Sequence, residues 1–160
     1  LAFVIIKEDI LGKVNRQIPS MLDYKLHIEN NSLYNTPPVV AVYACLQTLK
    51  WLKSIGGLKT IHKINQEKAK ILYDEIERNK LFVPTVPDEK DRSIMNVTFV
   101  MKEEYKELES SFLEFASSKG IVGIKGHRSV GGFRASIYNA LTKESVEYLV
   151  QVMRGFEAKV

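Results

Sequence analysis

The sequence has 160 residues, of which 45% are hydrophobic and 26% charged, and a formal net charge of +4. That balance belongs to a globular chain and excludes a disordered chain, a collagen-like repeat and a low-complexity tract. A chain of this length buries about 70% of the surface its unfolded form exposes, enough to build a core. The single cysteine, Cys45, rules out an internal disulfide and a thiol-only metal site. It lies in the apolar run Val39 to Leu46 and is expected as a buried core thiol, which suits a reducing compartment. Acids and bases alternate at helical spacing from Lys63 to Arg78, the pattern of a solvated helix face rather than of a nucleic-acid footprint.

Leu1 to Ile6 is the longest purely apolar run. It falls far short of the roughly 18 residues that span a membrane, and it lacks the basic leader and cleavage site of a signal peptide. It reads as a buried strand that begins on the first residue, so the chain is expected to be a C-terminal piece of a longer protein. Residues 12–36 lack periodicity and read as a long loop holding one short strand or helix. The first clear helix opens at Asn35-Thr36-Pro37-Pro38, with Thr36 as N-cap and Pro37 in the first turn, and runs to about Ser54. Val39, Val42, Leu46 and Leu49 form its stripe, but Val40, Ala41, Ala44 and Cys45 are apolar too. A helix apolar on nearly all sides is expected in a core or at a subunit interface. Gly56-Gly57 ends it.

A second helix is expected over 58–79, with Ile61, Ile64, Leu72 and Ile76 on one stripe and Lys and Glu elsewhere, as in a helix linking two domains. Pro84 and Pro87 place a loop as far as Arg92. Residues 94–100 alternate as a strand. Tyr105, Leu108, Phe112 and Phe115 mark a helix that ends at Gly120. Short strands are expected at 121–124 and 133–138. Thr142 caps a final helix whose inward positions are Val146, Leu149, Met153 and Phe156. This order predicts a small antiparallel sheet covered on one face by helices.

The chemistry concentrates in Lys125-Gly126-His127-Arg128-Ser129-Val130-Gly131-Gly132-Phe133-Arg134-Ala135-Ser136-Ile137-Tyr138-Asn139. Lys125, His127 and Arg128 set three potential cations within four positions. Gly126, Gly131 and Gly132 allow sharp turns and close approach of backbone N–H groups to a ligand. Such a loop suits an anion, and phosphate above all, since arginine bonds two oxygens at once. An exposed basic hairpin loop has the same composition. Arg134 points to the polar face of its strand with Ser136 and Tyr138. Its partner is either a ligand carboxylate or a structural acid. No P-loop, GxGxxG, CxxC, HExxH or GxSxG pattern is present, and His27, His62 and His127 are too scattered in sequence to suggest a metal site.

Asn35-Thr36-Pro37-Pro38 together with Lys125-Gly-His127-Arg128-x-Val-Gly-Gly-x-Arg134-Ala-Ser-Ile-Tyr138-Asn139 resembles the phosphoserine aminotransferase family, within the class V aminotransferases of fold type I. The likeness extends over essentially the whole chain. It includes Glu8-Asp9 and Lys63-Ile-Asn-Gln-x-Lys68-Ala, while Ser129 and Phe133 occupy variable positions of the motif.

The resemblance implies an α/β architecture: the C-terminal part of a fold-type I transferase, with a small α+β domain. Its divisions are expected at 1–55 (remnant of the cofactor domain and dimer-interface helix), 56–92 (linking helix and loop) and 93–160 (substrate-binding domain). It implies a cytoplasmic homodimer with pyridoxal 5'-phosphate as cofactor. The reaction is amino transfer between L-glutamate and 3-phosphooxypyruvate, giving O-phospho-L-serine and 2-oxoglutarate, with neither nucleic acid nor membrane as partner. His127 and Arg128 correspond to residues that grip the substrate phosphate, and Arg134 to the one that holds its α-carboxylate. Asn35 and Thr36 correspond to residues that reach the cofactor phosphate of the partner subunit. The lysine that carries the cofactor in the family falls upstream of Leu1, so no catalytic residue is assigned here and the chain alone is expected to be inactive. The alternatives are another fold-type I aminotransferase and a non-catalytic phosphate-binding α/β module. An RNA-recognition reading fits the element order of 94–160 but lacks the aromatic motif such domains need.

Overall fold

Strict alternation along three short segments builds the sheet. In the computed structural model, which describes residues 1–160, β1 (Phe82–Pro84), β2 (Asn96–Met101) and β3 (Phe133–Ser136) pair antiparallel in the order β1-β2-β3. Phe82 faces Met101, and Val97 faces Ala135. Phe82, Val97, Phe99, Met101, Phe133 and Ala135 point to one side and are buried. Arg134 and Ser136 point to the other side and are exposed. Helices α3 (Gly57–Arg78), α4 (Glu109–Ser118) and α5 (Lys143–Glu157) supply the rest of this core. Phe112 from α4 lies 4.9 Å from Phe82 and 5.0 Å from Phe133, ring centre to ring centre. Phe156 from α5 closes the cluster at 5.3 Å from Phe112. Each such side chain contributes about 1.5–3 kcal/mol by leaving water.

The chain divides into two compact units, Leu1–Ile55 and Gly56–Val160, so residues 56–92 lie in the same unit as the sheet. Several expectations need correction within them. Residues 1–6 form no strand, and Ile5 is 98% exposed. A strand needs a ladder partner, and residues 1–55 contain no other strand. The long loop does hold a short helix, α1 (Tyr24–Glu29), capped by Asp23. Helix α2 spans Val39–Ser54 and starts after Pro38 rather than Thr36, which makes no cap hydrogen bond. None of its residues is buried, and Cys45 is half-buried rather than sealed in a core. Nothing in its own unit covers its apolar sides.

In the second unit the expected helix over 105–120 opens as a 3-10 segment, Glu103–Leu108, before α4 begins. Residues 121–124 form no strand; only Lys125 bridges to Phe133. Strand β1 stands where a proline loop was expected. Pro84 is compatible with it because β1 lies at the sheet edge, where a missing N–H costs no ladder bond. No helix is long and apolar enough to cross a membrane.

Two buried polar clusters tie α3 to more C-terminal segments. Lys68 is wholly buried and has no acidic partner. Its ammonium donates to the carbonyls of Ile137, Tyr138 and Leu141 at 3.1, 2.8 and 2.9 Å, and loss of water pushes its pKa down. One turn earlier, Asn65 donates to the side chain of Asn139 at 2.8 Å. The second cluster surrounds the Glu75 carboxylate, which accepts from Arg78, Asn79 and Arg154 at 2.7–3.0 Å.

Candidate anion-binding site

Lys125, His127, Arg128 and Arg134 belong to one antiparallel excursion. The Arg134 N–H donates to the Ile124 carbonyl at 2.7 Å, and Gly126 N–H donates to the Gly132 carbonyl at 2.7 Å. Between these ties the chain turns back on itself: Val130 and Gly131 N–H groups both donate to the His127 carbonyl, at 2.9 and 2.8 Å. Two glycines are obligatory for this path. A Cβ at Gly126 would strike the carbonyl oxygens of Gly131 and Gly132. Gly132 sits at φ +63°, and a Cβ there would lie 2.5 Å from Val100 and 2.8 Å from the Phe99 carbonyl oxygen. Gly132→Ala is therefore expected to lower stability by about 1–3 kcal/mol, the usual cost of a strained backbone position. Denaturant unfolding checks it, and an unchanged midpoint would contradict this close packing.

All four basic side chains are exposed, and none enters an ion pair with an acid of this chain. Basic side chains with no acidic partner in the chain are open to an anion from outside. The His127 ring is not free to turn: its Nδ1 lies 2.7 Å from Ser129 Oγ and accepts the Ser129 N–H at 3.3 Å. Arg134 stands apart from the loop, on β3, beside a cavity of about 560 Å³ also lined by Ile121, Ser136, Glu144 and Tyr148. Glu144 makes no ion pair with Arg134.

In the first unit, Asn35 and Thr36 are exposed just ahead of α2. The Asn35 amide makes one long contact, 3.5 Å to the Thr36 carbonyl. The first hydrogen bond of α2 runs from Val42 N–H to the Pro38 carbonyl, and no side chain caps the preceding N–H groups. An uncapped helix start with two polar side chains ahead of it suits a phosphate.

Sequence reasoning gave no physical role to Asn65, Lys68 or Ser129. The signal for the first two was a gap in the stripe Ile61, Ile64, Leu72, Ile76: helical spacing places 65 and 68 on the inward side, and both positions are polar. Ser129 carried no comparable signal, because its contact depends on how the loop closes.

The Aminotransferase class-V family profile matches residues 2–149. A phosphoserine aminotransferase of Azobacteroides pseudotrichonymphae is 65% identical over 98% of this chain and 44% of its own length. One from Porphyromonas gingivalis is 60% identical over 98% of this chain and 43% of its own length. Among solved structures, the phosphoserine aminotransferase from Bacillus circulans subsp. alkalophilus superposes with a TM-score of 0.87 at 43% identity, covering 96% of this chain and 42% of that one. The pyridoxal-phosphate-bound enzyme from Trichomonas vaginalis gives 0.78 at 39% identity, covering 86% of this chain and 39% of that one. The chain thus spans a little under half the length of the relatives it matches. With a matching profile over most of its residues, this chain belongs to the class-V aminotransferase family.

Proposed function

We propose that the protein to which this chain belongs is a homodimeric, pyridoxal-phosphate-dependent transaminase. It exchanges an amino group between L-glutamate and 3-phosphooxypyruvate, yielding O-phospho-L-serine and 2-oxoglutarate. The observation that carries this reading is the set of exposed basic side chains at 125, 127 and 128 that pair with no acid of the chain, with Arg134 on the adjoining strand. His127 and Arg128 bind the substrate phosphate, and Arg134 binds its α-carboxylate. Holding a substrate at both charged ends fixes the direction of the bond between them, which lowers the entropic part of the barrier. Glutamate carries a carboxylate where phosphoserine carries phosphate, so the loop must accept both. Exposed basic side chains, Arg128 and Lys125 on long stems beside a held His127 ring, suit that double duty.

Asn35, Thr36 and the first turn of α2 would hold the cofactor phosphate of a partner subunit. Their uncapped N–H groups and weakly engaged side chains fit a phosphate donor set. When bound, the cofactor supplies the electron sink for amino transfer; this chain supplies the grip on substrate and cofactor charge. A homodimer would also cover the exposed apolar sides of α2, where Val39 is 67% and Val40 82% exposed. A cytoplasmic location is part of this proposal.

The direct test assays the intact protein with L-glutamate and a panel of 2-oxo acids. Amino transfer to the phosphorylated three-carbon acid is expected to exceed transfer to its unphosphorylated counterpart, and equal rates would refute the assignment. Asn35→Ala or Thr36→Ala is expected to weaken cofactor affinity by about tenfold, one charge-assisted hydrogen bond. Absorbance titration reads this, and unchanged affinity in both variants would remove them from the cofactor site.

A further inference from the structure

A histidine that grips phosphate must present a proton to it, and the contacts of His127 specify which nitrogen does so. The ring is held by one neighbour, Ser129, through two contacts to the same atom. Ser129 N–H points at Nδ1 from 3.3 Å, and Ser129 Oγ lies 2.7 Å from it. A backbone N–H can only donate. In the neutral ring Nδ1 must therefore be the acceptor, and the single ring proton resides on Nε2. The hydroxyl can reinforce this by donating to Nδ1 as well. In the imidazolium form both nitrogens carry protons, and Nδ1–H can turn the hydroxyl of Ser129 into its acceptor. Nε2 carries a proton in either charge state and has no hydrogen-bond partner within the chain.

We propose that Ser129 is a positioning residue that fixes His127 as an Nε2–H donor, so that capture of a phosphate-type anion does not require the imidazolium. This rests on the phosphate role proposed for His127. Its consequence is a division of labour: Arg128 supplies permanent charge and His127 a directed donor. The nearest charged side chains in sequence are Lys125 and Arg128 of the same loop, both cationic, and no acid of the chain pairs with the ring. Ser129 stands at a position the family motif leaves variable, so its role comes from local geometry.

The test uses the intact protein with 15N-labelled histidine at a pH where the ring is neutral. The His127 signal is expected to show the proton on Nε2, and in Ser129→Ala, which loses the hydroxyl but keeps the backbone N–H on Nδ1, the Nδ1–H tautomer is expected to gain population without becoming the major form. KM for O-phospho-L-serine is expected to rise about threefold to tenfold in that variant, the worth of one neutral hydrogen bond, with kcat within about twofold. Ser129→Thr, which keeps the hydroxyl, is expected to restore both. A wild-type ring protonated on Nδ1 overturns the proposal, and so does a Ser129→Ala enzyme whose KM is unchanged. His127→Ala separates the two levels. If that variant leaves KM for O-phospho-L-serine intact, the phosphate reading falls, whereas the tautomer measurement judges the Ser129 geometry by itself.

Discussion

In the intact protein, Arg128→Ala is expected to lower kcat/KM for O-phospho-L-serine by about ten- to a hundredfold, from the loss of a charge-assisted contact worth roughly 1.5–3 kcal/mol. Cofactor affinity should be untouched. Arg128 is exposed and makes no ion pair with an acid of the chain. Its removal therefore leaves no buried acid unpaired and should not disturb folding. Arg134→Ala is expected to impair L-glutamate and O-phospho-L-serine alike, because both carry the same α-carboxylate. Steady-state kinetics with the two donors separates the roles. Full activity toward O-phospho-L-serine in Arg128→Ala would end the phosphate assignment. A loss confined to one donor in Arg134→Ala would end the carboxylate assignment.

Glu75→Ala should cause a loss of about 3 kcal/mol in stability, near the low end for breaking a buried ion pair. The Glu75 side chain is fully buried, whereas Arg78 and Arg154 keep roughly half their side-chain surface in water and can be rehydrated. Asn79 is buried as well and would lose an acceptor. Burial alone would raise the Glu75 pKa; hydrogen bonds from Arg78, Asn79 and Arg154 outweigh it and hold the carboxyl below its ordinary range. A folded-state pKa below the unfolded value means that the protonated form is disfavoured by the fold. The contribution is therefore complete above the unfolded value of about 4.3 and is lost as pH falls through the lower folded value. Denaturant unfolding of wild type and Glu75→Ala between neutral pH and pH 3 should show the gap between them narrowing in acid. A gap independent of pH would mean that packing, not charge, accounts for the effect.

The elements that were readable in the sequence are those whose burial follows a local period. Strand β2 alternates residue by residue, and α5 carries Val146, Leu149, Met153 and Phe156 inward with Thr142 capping it. The basic glycine loop was readable too, since three glycines among basic residues disfavour helix and strand and permit the positive-φ turn the chain makes there. What escaped was whatever depends on a partner distant in the chain. Residues 1–6 have the composition of a strand but no ladder to join within their unit. Phe82–Pro84 has a strand-breaking residue yet pairs with β2 from the edge.

Composition and period determined by themselves that helices would shield one face of an antiparallel sheet and that cations would gather between 125 and 134, because side-chain chemistry and backbone repeat are written locally. Only the folded chain decided that Lys68 lies buried against three carbonyls, that Glu75 is surrounded by three donors, and that Ser129 holds the His127 ring. A buried charge must find its partners, and here those partners come mostly from other segments. A ring's orientation depends on how its loop closes, and spacing along the sequence does not specify that closure.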